Sequence, residues 1–161
     1  MPTSDAVDRE VAWLQTAGDS LPALLTASGG PWDNVQAYQP RTPGKRAANI
    51  YVLRRQIHEK RFANVRRMAT YEFALKLIWP LSSGQGIAEA DQRAFDAAVD
   101  LVLTRIGGLV GDKSHGGRFL SVAENPAYVT VRFMDPEQTL VNGVEFHAEI
   151  TYSADDTEIT G

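Results

Sequence analysis

Apolar and polar residues alternate most cleanly over 71–79. Tyr71, Phe73, Leu75, Leu77 and Trp79 share one parity, and Glu72, Ala74, Lys76 and Ile78 fill the other. A period of two predicts a strand with one buried face. Upstream, Tyr51, Leu53 and Ile57 repeat the pattern, with Arg55 and Glu59 on the same parity. A turn near Asn64 makes 50–79 a long hairpin. It sets Tyr51 opposite Leu77, Leu53 opposite Leu75 and Ile57 opposite Tyr71, so that both apolar sets share a face. Arg55 is the exception, placed on that face opposite Phe73. Three more strands are expected at 118–124, 128–133 and 144–152, with Pro126 and Pro136 at their boundaries, where proline is tolerated. Asn142-Gly143 signals a hairpin turn before the last strand.

Helical spacing occurs twice. Ser4 can cap a helix carrying Val7, Val11, Trp13 and Leu14, with Asp5 and Asp8 in its first turn and breaks at Gly18 and Pro22. The second helix, 88–109, places Phe95, Ala98, Val102 and Ile106 on one stripe. Glu89 and Asp91 lie near its start and Arg105 near its end, as the helix dipole favours. Gly107-Gly108 and Gly111 terminate it, and 82–86 reads as a turn. Between the first helix and the hairpin, 28–48 reads as an extended loop or arm, punctuated by Pro31, Pro40, Pro43 and Gly44. Its Trp32 and Tyr38 pack either on the subunit's own core or on a neighbour.

The order is helix, long loop, two strands, helix, three strands. It implies an α+β domain spanning 1–161, a mostly antiparallel sheet of about five strands packed against two helices. The chain has 161 residues and no cysteine. Disulfide frameworks and cysteine-based metal sites or nucleophiles are therefore excluded. No secretory signal is expected, and no apolar stretch is long enough to span a bilayer.

Net charge is only −4, but its distribution is polar. Lys45, Arg46, Arg54, Arg55, Lys60, Arg61, Arg66 and Arg67 cluster in and before the hairpin, against the single acid Glu59. Glu145, Glu149, Asp155 and Asp156 belong to an acidic carboxy-terminal segment that contains one cation, Arg132. Such polarity suits contact with a polyanion, or head-to-tail contact between copies. Phosphate contact alone would be sequence-independent and salt-sensitive. Phe62 is the only aromatic at the tip, so base-stacking platforms are lacking, and there is no recognition helix. The alternative for the basic residues is a solvated hairpin edge that discourages edge-to-edge pairing.

Candidate chemistry is sparse. There is no phosphate-binding glycine loop and no nucleophile elbow. His147 with Glu145 and Glu149 forms a polar row that reads as a solvated outer face, since no second histidine lies near. His115 is expected in a plain helix-to-strand loop or an exposed anion-holding one, and His58 extends the basic strand. Asp155, Asp156 and Glu158 lack the alternating ligands of a calcium loop and read as an acidic tail. No enzyme activity, metal or cofactor is expected.

Several segments carry a resemblance. Ile50-Tyr51-Val52-Leu53, Ala69-Thr70-Tyr71-Glu72-Phe73 and Trp79-Pro80-Leu81 resemble the tail-terminator proteins of long-tailed bacteriophages, especially those infecting actinobacteria. Arg118-Phe119-Leu120-Ser121-Val122-Ala123-Glu124 and Ile150-Thr151-Tyr152-Ser153-Ala154-Asp155-Asp156 extend it. The resemblance covers about 50 to the end, and its motifs are structural, not catalytic. It implies a virion tail or neck protein, present in host cytoplasm during assembly. Such a protein forms a homo-hexameric ring on the head-proximal end of the tail tube. The ring stops tube polymerisation and meets the head-tail connector, and genome DNA passes through its lumen. Another neck component, such as a tail-completion or connector protein, is the alternative. A non-specific DNA-binding module is a more distant one. Two placements of the basic residues follow. Arg54, Arg55, Arg66 and Arg67 sit in a subunit joint or against the neighbouring ring, with Glu145, Glu149, Asp155 and Asp156 as the complementary surface. Alternatively, Lys60, Arg61, Arg66 and Arg67 face DNA in the lumen.

Overall fold

The computed structural model describes residues 5–16, 23–40, 47–62, 66–80, 89–108, 114–116, 118–123, 128–134, 137–139 and 143–159. In chain order the elements are α1 (Ala6–Gln15), β1 (Asn34–Ala37), β2 (Asn49–Phe62), β3 (Arg66–Pro80), α2 (Glu89–Gly107), β4 (Ser121–Val122), β5 (Thr130–Phe133), β6 (Glu137–Thr139) and β7 (Gly143–Ile159), with a 3-10 turn at Thr26–Ser28. The expected Ser4 cap and the breaks at Gly18 and Pro22 lie outside the described residues. So do Pro43, Gly44, Gly111, Pro126, Pro136 and the turns at Asn64, 82–86 and Asn142.

The fold is α+β. Long strands β2, β3 and β7 form its frame, with β3 between the other two and antiparallel to both. The far side of β7 takes β4, β5 and β6, all antiparallel. On the other flank β1 pairs parallel to the start of β2. The sheet thus exceeds the five expected strands by β1 and β6.

Alternation in β3 decides where the core lies. Phe73, Leu75 and Leu77 face Tyr152, Ile150 and Ala148 across the β7 ladder, and all six are buried. Each large side chain in this row contributes about 1.5–3 kcal/mol by leaving water. The helices cover the same face. From α2, Phe95 stacks on Phe146 at 5.5 Å and packs on Trp79 at 6.1 Å. Val7, Trp13 and Leu14 of α1 join the same cluster. Two indoles tie α2 to the rest: Trp13 Nε1 donates to the Arg105 carbonyl and Trp32 Nε1 to that of Ala98.

The hairpin forms as expected, but its register is only half as expected. Ile57 lies opposite Tyr71, whereas Ile50 lies opposite Leu77 and Val52 opposite Leu75. A β-bulge between Arg54 and Gln56 inserts one extra residue, Arg55. The bulge exchanges the faces of the strand. Tyr51 and Leu53 therefore turn away from the helices, opposite Lys76 and Ala74. Arg55 is spared the apolar face.

The arm expected at 28–48 is also revised. Its middle is β1, and Trp32 is fully buried against Trp79 at 5.1 Å, so the segment packs on its own subunit. A bridge between Leu25 and Trp32 closes the approach to β1. Gly30 makes it possible, because a Cβ there would stand 2.3 Å from the Leu24 backbone. At the other end of the chain, β7 runs to Ile159. The acidic tail is therefore the end of a strand. No described helix is long and apolar enough to cross a membrane.

Candidate functional site: the free sheet edges and the charged seam

Beyond Val52 no described strand covers the outer edge of β2. This stretch holds the basic residues singled out from sequence. Arg54 sits opposite Phe73 yet is exposed, next to the bulge residue Arg55. Ile57 follows on the same face at 37% exposure. Lys60 is exposed opposite Met68. At the end of the hairpin the backbone register sets Arg61 across from Arg67 and Phe62 across from Arg66. Lys60, Arg61, Arg66 and Arg67 thus fall at the far end of the β2–β3 ladder, while Arg54 and Arg55 sit at the bulge midway along β2. Lys45 and Arg46 lie outside the described residues.

The acidic residues are not a free surface complementary to it. Arg55 Nη1 reaches Glu149 Oε1 at 2.6 Å within the subunit. Asp156 is buried and accepts from Arg9 Nη1 at 3.0 Å. Asp155 is buried and accepts from Thr70 Oγ1 at 2.6 Å and Ser121 Oγ at 3.1 Å. Glu145 is only 4% exposed and lies 3.6 Å from His147. Register in the β3–β7 ladder places Arg67 beside Glu158. β3 lies between β2 and β7, and Arg55 reaches across it to Glu149, the one ion pair described between the basic and acidic segments.

Two histidines depart from expectation. His147 is buried instead of lying on a solvated face. Burial raises the Tyr51 phenol above its usual value; a hydrogen bond with Asn49 opposes the shift and Glu145 adds to it. His115 is fully buried, neither in a plain loop nor holding an external anion. It stacks on Trp13 with ring centroids 4.7 Å apart. Its Nε2 donates to the Ile106 carbonyl at 2.9 Å, and its Nδ1 lies 2.7 Å from Glu10 Oε1. Because a carbonyl only accepts, Nε2 carries a proton, and a second proton lies between Nδ1 and the carboxylate. His115 and Trp13 thereby satisfy two carbonyls at the end of α2, which a helix leaves without internal donors.

The turn that delivers His115 is left-handed. His115 has φ +52° and Gly116 φ +69°. A Cβ on Gly116 would meet Arg118 Nη1 at 2.9 Å. Arg105 lies beneath, its guanidinium 5.0 Å from the Trp13 ring and bonded to the Trp13 carbonyl. Burial first, and then Arg118, lower the Arg105 pKa, while Glu10 opposes them. No sequence motif marks this cluster. The only signal was a positively charged and histidine-bearing loop following a helix, which periodicity does not interpret.

On the sheet face away from the helices an open cleft of about 420 Å³ is lined by His58, Thr70, Glu72, Tyr128 and Thr130, among others. Among the described residues no group of three or more His, Cys, Asp or Glu side chains is arranged to hold a metal ion. A second groove, about 350 Å³, runs between α2 and β5 and is bordered by Asp96, Val99, Asp100, Leu103, Val131 and Phe133. No protein-family model matches the chain, and no curated protein matches it.

Proposed function

We propose that the protein is a virion assembly subunit that caps the head-proximal end of a bacteriophage tail tube as a ring. There it ends tube polymerisation and meets the head-tail connector. The observation that carries this reading is the pair of unlike free flanks on one sheet. The basic reach of β2 is uncovered on one side, and β5, whose only described partner is β7, borders the other. Unlike surfaces at opposite ends of a subunit suit head-to-tail contacts, which close into rings when the rotation allows. The segments that resemble tail terminators support it from a second direction. Those in described positions fall in or beside β2, β3, β4 and β7, the frame of the sheet. Transient, sequence-independent contact with passing DNA at the hairpin end is compatible with the same role.

Phage particles lacking this protein provide the test. The expected result is tails of uncontrolled length, or tubes unable to join heads, in electron micrographs. Tails of normal length that fail at another step would assign the protein to a different neck component.

A further inference from the structure

The cleft on the outer face of the sheet is built across four strands. The ladders set His58 beside Thr70, Glu72 beside Ser153, and Thr151 beside Thr130. All of these line it, with Tyr128 just before β5. They have the parity opposite to Tyr71, Phe73 and Ile150, so this face is polar where the other is the core. The hydroxyl side chains are short and leave a concavity of about 420 Å³. Small-molecule sites occupy roughly 300–1,000 Å³. Tyr128 stands 64% exposed, its ring open to a ligand.

Charge narrows what such a ligand is. Glu72 is half-buried and has no cation or hydrogen-bond donor among the described residues. Other acids of the sheet do have a cation: Glu149 holds Arg55, and Asp156 holds Arg9. Beside the cleft, Asp155 is 5% exposed, and its two oxygens take the Thr70 and Ser121 hydroxyls. Lys60 and Arg132 stand one outward position beyond His58 and Thr130, and neither lines the cleft. The space is therefore electronegative, and it disfavours an anion. A carboxylate drawn partly out of water is unfavourable until a partner meets it. A divalent metal finds too few ligands, since no group of three or more His, Cys, Asp or Glu is arranged for one among the described residues.

We infer that this cleft binds a small organic cation, an ammonium or guanidinium group on a short hydrocarbon stem. The cationic head meets the Glu72 carboxylate in a charge-assisted hydrogen bond. The hydroxyls of Thr130 and Thr151 accept from its remaining N–H groups. The ring of Tyr128 attracts the same cation through its face and packs on the stem. This site is independent of the ring reading above, and its failure leaves that reading untouched.

Agmatine, with a guanidinium at one end of a short alkyl chain and an ammonium at the other, is the probe. Calorimetric titration of the full chain should show one site per subunit. Glu72→Gln keeps the shape and removes the charge, and it should weaken binding by about tenfold or more. Tyr128→Leu should weaken it several-fold. Unchanged thermal unfolding verifies the fold of both variants. N-acetyl-arginine amide is titrated alongside, since a protein side chain carries the same head group. Tighter binding of the amide assigns the cation to a protein partner, and tighter binding of agmatine assigns it to a free amine. No heat with either ligand at millimolar concentration overturns the site. So does equal affinity in Glu72→Gln, or glucose binding as tightly as the cations.

Discussion

His115 and Glu10 are each fully buried, and each depends on the other. Removing one partner of such a pair strands the second in a medium that cannot solvate it. His115→Ala is therefore expected to cost about 3–5 kcal/mol in denaturant unfolding. The double variant Glu10→Met with His115→Phe should recover much of that loss, because no buried carboxylate is then left alone. A double variant as unstable as the single one would show that the Ile106 carbonyl, not Glu10, dominates. Tyr152 sits beside the same carboxylate. Burial, reinforced by Glu10, holds its phenol well above the ordinary value of 10.0. The folded chain thus keeps this proton to higher pH than the unfolded chain does. Its contribution to stability is complete below pH 10.0 and declines above it, as the unfolded state alone releases the proton. Tyr51, also raised, adds a decline of the same sign. Tyr152→Phe should make the fall in urea-unfolding stability between about pH 9 and pH 11 shallower without removing it. An unchanged slope would contradict the linkage.

Elements differ in how much of them the sequence discloses, for reasons the structure makes plain. β3 was legible because it lies in the middle of the sheet with one face on the helices, so burial writes a strict period of two. α2 was legible for the equivalent reason at a period near 3.6. β2 was legible as a strand but not in register. A single-residue bulge at Arg55 exchanges its faces, and the residues around a bulge carry no fixed signature. β1 was hidden in an apparent loop because it is four residues long, too short for a pattern. Its parallel partner is distant in kind from a hairpin. β7 was read as too short because its last residues are acidic. Asp155 and Asp156 look like a solvated tail until Thr70, Ser121 and Arg9 are brought to them by α1, β3 and β4. The basic hairpin end, by contrast, was recoverable as a cluster, since its members are close along the chain. The buried cluster around His115 was not, because Glu10, Arg105 and His115 come from three separate segments.

At the scale of the whole molecule, the basic end of β2 faces two rival uses, and salt separates them. Contact with DNA phosphates releases counterions, with a slope near −0.9 per phosphate neutralised. Lys60, Arg61, Arg66 and Arg67 engaging about four phosphates would lose roughly a hundredfold in affinity between 50 mM and 200 mM salt. A joint between two subunits behaves differently. Exposed ion pairs across it are screened modestly over the same range. Salts excluded from protein surfaces strengthen the burial of its apolar contacts. Self-association measured by sedimentation should therefore fall only a few-fold over the interval in which DNA retention on filters falls steeply. Lys60→Gln with Arg61→Gln should weaken DNA retention and lower its salt slope. If both measurements fell with the same steep slope, the hairpin end would be acting as a phosphate contact in each, with subunits held together by bound DNA instead of by direct contact.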